Sequence, residues 1–150
     1  MRPATQLSCS PTTVRERDLY QAINRLLPRD CFHQSLTGAA MTGNGIPDRF
    51  YCSPRGTCWI EFKQLSSMPR SGIVRGALTS LQLQWLERRY NNCKSLARPT
   101  DVAVVIGLPN RTAVVQTTPT EWREGTHVTT AMSFKEVSSW IDSGLLSRVR

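Results

Sequence analysis

The chain contains little lysine, little histidine and no long apolar run. Its 150 residues include three lysines and two histidines, and no apolar stretch approaches the ~20 residues of a membrane-spanning helix. Residues 1–6 lack the apolar core of a signal peptide, so we expect an unexported, cytoplasmic protein. A lipid surface is disfavoured as a partner, because no basic amphipathic helix with a large exposed apolar face can be traced.

The five cysteines and two histidines follow no metal-binding or disulfide pattern. No CxxC pair occurs, and the histidines at positions 33 and 127 do not have zinc-finger spacing. Cys52 and Cys58 flank a predicted turn and could face each other across it. Since no export signal is present, we predict free thiols instead.

Positive charge is abundant and is carried mainly by arginine. Nineteen lysines and arginines against eleven acidic residues give a net charge of +8, and sixteen of the nineteen cations are arginine. The planar guanidinium fork suits phosphate, which favours a nucleic-acid partner over a role in general solubility. On composition alone, a basic surface that is merely solvated fits equally well. No acidic residue lies between Glu61 and Glu87. Four arginines in and beside this stretch are predicted to contact a DNA backbone: Arg70, Arg75, Arg88 and Arg89.

The hydrophobic pattern predicts a single domain over residues 1–150, in which a small mixed sheet is flanked by helices in the order αββαββα. The predicted elements are a helix over 10–27, strands 46–52 and 58–63 joined by a hairpin turn at 53–57, a helix over 78–92, strands over 102–106 and 112–117, and a helix opened by the capping box at 133–136. The glycine-rich stretch 31–45 is predicted to be a loop. A partner surface is expected beyond residue 118, at Trp122 and the last helix.

Three charged residues are predicted to converge at the hairpin. Glu61 and Lys63 are two residues apart in a strand and therefore point to the same face. Pairing of the two strands places Asp48, at the start of the first, beside the end of the second. Two carboxylates and an ammonium on one face are costly unless a cation joins the carboxylates, and Mg²⁺ prefers such oxygen ligands. The set suits hydrolysis of a phosphodiester. The plainer interpretation is a turn residue at Asp48 and an exposed ion pair on the strand.

These residues resemble the motif of the PD-(D/E)XK nuclease superfamily. The matching segments are Gly45-Ile46-Pro47-Asp48, Ile60-Glu61-Phe62-Lys63 and the helix from Leu78 to Leu86, which contains Gln82. The set looks closest to the virus-type replication-repair nuclease (VRR-NUC) domain, whose typical run is a GxPD, an ExK and a helix with a glutamine. The resemblance covers residues 45–90 well and 10–28 loosely, and it implies an α/β restriction-endonuclease-like fold.

The resemblance also implies a role for each matching residue. Asp48, Glu61 and the main-chain carbonyl of Phe62 would hold Mg²⁺, with Mn²⁺ as a substitute. Lys63 would position the nucleophilic water. Gln82 would line the site and contact water or phosphate.

An acidic residue of the first helix is the further metal ligand that the resemblance implies. Glu16 matches it, and the helical phase places Glu16 on the same stripe as Leu19 and Ile23, whereas Asp18 points about 200° away at ~100° per residue. The alternative for Glu16 is a solvated acid in the first turn, favoured by the helix dipole.

The activity implied by the resemblance is that of a metal-dependent DNA endonuclease. Stand-alone members of the family are typically phage-encoded or bacterial, form homodimers and act on branched DNA such as four-way (Holliday) junctions. A phage-encoded chain would act in the cytoplasm of its bacterial host. One alternative is a nuclease for flaps, nicks or ends. Another is a basic DNA-binding module without catalytic activity.

Overall fold

The computed structural model describes residues 16–36, 45–54, 56–93 and 102–143. They form α1 (Glu16–Asn24), β1 (Phe32–Ser35), β2 (Arg49–Ser53), β3 (Gly56–Gln64), β4 (Ile73–Val74), α2 (Ser80–Cys93), β5 (Val102–Gly107), β6 (Thr112–Gln116), α3 (Pro119–Glu124), β7 (Thr126–His127), β8 (Met132–Ser133) and α4 (Phe134–Ser143), with a 3₁₀ turn at Val128–Thr130. None of these helices is long and apolar enough to span a membrane.

Six of the strands form one mixed sheet in the order β1-β2-β3-β5-β6-β8. β3 and β5 are parallel, and every other neighbouring pair in this sheet is antiparallel. Since parallel neighbours need a crossover connection, the chain leaves β3, forms α2 and returns to start β5 beside it. β4 and β7 form a separate two-stranded sheet.

The helices cover the two faces of the sheet with two hydrophobic clusters. Leu19 and Ile23 of α1 pack with Val137 and Ile141 of α4 on one face. On the other face, Leu86 of α2 packs with Trp122 of α3 and with alternate residues of β5. All six residues of β5 are buried, as its unbroken apolar run predicts for a strand covered on both faces.

The seven predicted elements are present in the predicted order, with shifted boundaries. The first helix ends at Asn24, three residues earlier than predicted, and its predicted start at residues 10–15 lies outside the described residues. The predicted five-residue hairpin turn is wrong: Ser53 pairs with Gly56, so two residues connect the strands. Two-residue connections match the twist of paired strands, and the pairing therefore extends further than the turn residues suggested.

Two other predictions are corrected by the structure. The stretch 31–45 contains β1, whose four residues are all exposed at the sheet edge and so show no alternation of apolar and polar residues. Positions 37–44 lie outside the described residues. Trp122 is buried, and its Nε1–H donates to the carbonyl of Gln116 at 3.1 Å, so it belongs to the core and not to a partner surface.

The predicted free thiols are confirmed where the structure describes them. Cys31, Cys52, Cys58 and Cys93 carry thiols that are not joined in disulfides. Cys52 lies opposite Thr57 in the hairpin, and Cys58 lies opposite Tyr51, so the two cysteines that flank the turn are not direct cross-strand partners. Cys9 lies outside the described residues.

Candidate active site

The structure brings Asp48 and Glu61 together at the end of the β2–β3 pair. Arg49 pairs with Ile60, so Asp48 and Glu61 are the next two residues along these strands. The backbone N–H of Asp48 donates to Glu61 Oε2 at 3.2 Å, and the backbone N–H of Phe62 donates to Asp48 Oδ2 at 3.1 Å. Each carboxylate is therefore held by the backbone of the opposite segment, and the predicted proximity is confirmed.

Burial makes both carboxyl groups hold their protons more strongly. Glu61 is only 2% exposed, and this burial, together with the negative charge of Asp48, raises the pKa of Glu61 to about 7. Burial also raises the pKa of Asp48, against the lowering effect of the hydrogen bond from Phe62. A carboxyl group that titrates near neutrality beside a second carboxyl group is typical of functional sites.

Lys63 lies on the same face as Glu61, as the two-residue spacing predicts. Its Nζ is 3.1 Å from Glu61 Oε1, and its positive charge lowers the pKa of Glu61 and of Asp48. Its side chain is partly exposed while Glu61 is buried, so the ammonium lies between the carboxylate pair and solvent. Because the glutamate is buried, the pair is not the solvated surface ion pair of the plainer interpretation.

Gln82 reaches the site because its side chain also caps α2. The backbone N–H of Thr79 donates to Gln82 Oε1 at 3.0 Å, and the backbone N–H of Gln82 donates to Thr79 Oγ1 at 3.2 Å. This reciprocal pair is a capping box, and it turns the amide so that Nε2 donates to Glu61 Oε1 at 2.7 Å. The sequence analysis missed Thr79, although the signal, Thr-x-x-Gln at 79–82, is visible in the sequence.

Gly45 lets α2 lie close to the candidate site. Its φ is +74°, a conformation that favours glycine. A Cβ at this position would overlap the backbone carbonyl group of Leu81 and would lie 2.8 Å from the backbone nitrogen of Gln82. The glycine of the GxPD segment therefore allows the first turn of α2, which contains Gln82, to lie close to Asp48.

Glu16 lies at the start of α1 and is exposed, whereas Leu19 and Ile23 on the same predicted stripe are buried. Its negative charge contributes to the raised pKa of Asp48, which places its carboxylate in the surroundings of the site. Within the described ranges, no three His, Cys, Asp or Glu side chains converge as a group that could hold a metal ion. The role of Glu16 as a further ligand stays a prediction.

The donor set at the strand ends fits a divalent cation that prefers oxygen ligands. Glu61 accepts from the backbone N–H of Asp48, and Asp48 accepts from the backbone N–H of Phe62. The negative charge of Asp48 raises the pKa of Glu61, so a cation would offset a repulsion that the fold builds in. The N–H and C=O of one strand residue point to the same side. Because the N–H of Phe62 points to Asp48, its carbonyl faces that side too.

The raised pKa of Glu61 predicts how stability depends on pH without metal. Unfolded Glu61 loses its proton near 4.5, whereas folded Glu61 keeps it to about 7, so the folded state binds more protons between these values. The free energy of unfolding in EDTA should therefore fall as pH rises from about 4.5 to 7, by on the order of 3 kcal/mol. Urea unfolding at pH 5 and pH 8 measures the difference.

Glu61→Gln is the control for this pH dependence, because it keeps the side-chain size and removes the titrating group. The variant should lose most of the fall in stability between pH 5 and pH 8. An equal fall in the variant and the natural protein would show that other groups cause it.

The four arginines predicted to contact DNA lie on the segment from the β3–α2 connection to the end of α2. Arg70 and Arg88 are exposed. Arg75 is anchored, since its Nε donates to the carbonyl of Glu124 at 3.0 Å, and the guanidinium of Arg89 lies 5.9 Å from the ring centre of Trp59. The structure gives these residues defined positions, and their contact with DNA stays a prediction.

The fold has a counterpart among solved structures. The structure is similar to that of Archaeoglobus fulgidus Hjc, a Holliday junction resolvase from an archaeal hyperthermophile, with a TM-score of 0.50, 14% sequence identity, and coverage of 84% of this chain and 97% of that chain. This likeness confirms the predicted α/β restriction-endonuclease-like fold. Neither a protein-family model nor a curated protein sequence matches the chain.

Proposed function

We propose that the protein is a metal-dependent nuclease that hydrolyses phosphodiester bonds in DNA. The observation that supports this most strongly is the grouping of Asp48, Glu61, Lys63 and Gln82 at one end of the sheet. These residue types belong to the motif that the chain shares with PD-(D/E)XK nucleases. They occur here in a fold similar to that of a Holliday junction resolvase.

Each residue of the site then has a chemical task. Asp48, Glu61 and the carbonyl of Phe62 would hold Mg²⁺, or Mn²⁺ in its place. When bound, the cation would supply Lewis-acid stabilisation of the charge that develops on the phosphate. Lys63, anchored on Glu61 and open to solvent, would hold and orient the attacking water. Gln82 would fix the orientation of Glu61 through its 2.7 Å hydrogen bond.

Branched DNA is the substrate that we propose, cleaved by a homodimer. A symmetric junction presents two equivalent strands, and two sites related by a two-fold axis would cut both. The excess of arginine and the anchored positions of Arg75 and Arg89 suit recognition of backbone phosphates without reading of bases. The finer family assignment, to the VRR-NUC group, rests on the GxPD, ExK and glutamine pattern.

The substrate is tested with a panel of labelled DNAs that share one sequence. Purified protein is incubated with a four-way junction, a flap, a nicked duplex and a linear duplex, each with Mg²⁺, with Mn²⁺ or with EDTA. We expect paired cuts in opposing strands of the junction, and no cutting in EDTA.

Each other pattern of cutting has a defined meaning. Preference for flaps, nicks or ends would keep the nuclease and change its substrate. Equal cutting of all four DNAs would show that the nuclease does not select its substrate by DNA structure. Binding without cutting in either metal would favour the alternative of a DNA-binding module.

A further inference from the structure

A second group of cations lies outside the candidate active site, in a groove between α1 and the β1–β2 edge of the sheet. The groove has a volume of about 690 Å³. Arg17 and Tyr20 of α1 and Arg25, the residue after α1, line one side, and His33 of β1 and Arg49 of β2 line the other. No acidic side chain among the described residues lines it. We call this set the α1–β1 groove.

Arg49 is the buried member of the α1–β1 groove. It is 8% exposed, and its guanidinium lies 4.4 Å from the ring centre of Tyr20. One terminal nitrogen lies 3.0 Å from His33 Nδ1, and the burial of His33 together with the charge of Arg49 lowers the pKa of His33. Its Nε is buried and has no hydrogen-bond acceptor within the described part of the chain.

The positive charge of Arg49 lacks a matching negative charge nearby. Within the described ranges, no carboxylate lies at salt-bridge distance from it. A buried cation is costly unless it is paired, and here the two nearest groove cations, Arg17 and Arg25, add to the charge instead of balancing it. A ligand that carries negative charge and several acceptor oxygens would balance all three arginines.

We propose that the α1–β1 groove binds a phosphate group. Arginine forks and a histidine nitrogen are the donors that suit phosphate oxygens, whereas a groove lined by three arginines repels cations and offers little to an apolar ligand. Nothing in the ExK motif or the capping box requires Arg49, so the burial of its unsatisfied Nε, with no carboxylate paired to it within the described residues, is explained by this second site and not by the first.

The groove and the candidate active site are built from neighbouring residues of the chain. Arg49 directly follows Asp48, and adjacent residues of a strand point to opposite faces, so the groove lies on the other face of the sheet from the carboxylate pair. The assignment of the phosphate to DNA rests on the proposed nuclease function. The affinity of the groove for phosphate does not rest on that function, because the arginines bind phosphate without Mg²⁺ and without cleavage.

The histidines allow the groove to be observed directly. The chain has two, His33 in the groove and His127 in β7, so a ¹³C–¹H spectrum of the imidazole rings contains two sets of signals. The full chain is titrated with inorganic phosphate in EDTA at constant pH and chloride concentration. We expect a saturable shift of the His33 signals and no comparable shift of the His127 signals.

Two variants separate binding from a general effect of charge. Arg17 and Arg25 are exposed, so the double variant R17A/R25A should keep the fold and weaken phosphate binding about tenfold. Arg29 is an exposed arginine that does not line the groove, and Arg29→Ala should bind phosphate as the natural protein does. Equal affinity in all three proteins, or an unmoved His33, would overturn the proposal.

The source of the phosphate is distinguished with short single-stranded oligonucleotides in EDTA. A shift of His33 that requires a 5′-phosphate would assign the groove to a strand end. An equal shift with a 5′-hydroxyl oligonucleotide would assign it to an internal phosphodiester. Since none of these titrations involves cleavage, their failure would leave the proposed nuclease activity untouched, and loss of that activity would leave the phosphate site standing.

Discussion

Lys63→Ala should lower the rate of DNA cleavage by on the order of 10²–10⁴-fold, which is the range for loss of a side chain that handles a proton or orients a nucleophile. The ammonium of Lys63 lies 3.1 Å from Glu61 Oε1, and the side chain of Lys63 is more exposed than that of Glu61. Its removal leaves the strand register and the hydrogen bonds between Asp48 and Phe62 in place. The rate of cleavage under single-turnover conditions, with DNA saturated by protein, measures the chemical step.

Asp48→Ala is the companion variant, because it removes a proposed metal ligand and not the lysine. Cleavage should be lost, while DNA binding in EDTA should persist or tighten, since a negative charge facing phosphate has been removed. Lys135→Ala, an exposed lysine in the first turn of α4, is the matched control and should cleave normally. If Lys63→Ala and Asp48→Ala cleaved as fast as the control, the assignment of the site would be wrong.

The contact between Asp48 and Glu61 could be predicted because it depends on short-range rules. Strand residues two apart share a face, and antiparallel pairing of neighbouring strands fixes which residues lie opposite each other. The wrong turn length shifts the register by one residue, since Cys52 pairs with Thr57 and not with Cys58, but the prediction required only that Asp48 lie near the end of the second strand.

Other parts of the site depend on tertiary contacts that leave a weaker signal in the sequence. β1 has four exposed residues, so no hydrophobic pattern marks it. In the sequence, Arg49 is an ordinary charged residue that follows the motif. Its burial is visible only in the structure, where Tyr20 and His33 pack around it. Glu16 has the phase of a buried stripe, but its side chain is exposed, unlike those of Leu19 and Ile23.

The candidate site lowers the free energy of unfolding of the metal-free protein. Glu61 is buried with a pKa near 7 next to a second carboxyl group, an arrangement that weakens the metal-free protein at neutral pH. Lys63 and Gln82 offset part of this cost by donating to the same Oε1 atom. Because both donors are needed to keep the glutamate in place, changes that move α2 should affect folding and cleavage together.

Gly45→Ala should therefore cause the second large loss. The new methyl group would overlap the Leu81 carbonyl, and the residue would have to keep a φ of +74°, so the first turn of α2 must move away from the strand. Backbone strain of this kind costs about 1–3 kcal/mol. Displacement of Gln82 from Glu61 should reduce cleavage by about 10²-fold, the scale expected for a misplacement of ~1 Å in a catalytic group.

Gly72→Ala separates the effect of position from the effect of backbone strain. Gly72 has almost the same φ, +73°, but an added methyl group there would meet the side chain of His127 instead of backbone in α2. Both variants should unfold at lower urea concentration, and only Gly45→Ala should cleave slowly at a temperature where both remain folded. Thr79→Val gives a graded case, since it removes the Oγ1 that accepts from the backbone N–H of Gln82, at a cost of about 1 kcal/mol, and introduces no overlap. If Gly45→Ala cleaved like Gly72→Ala, the approach of α2 to the strand would be a requirement of folding alone, and Gln82 would have no part in the chemistry.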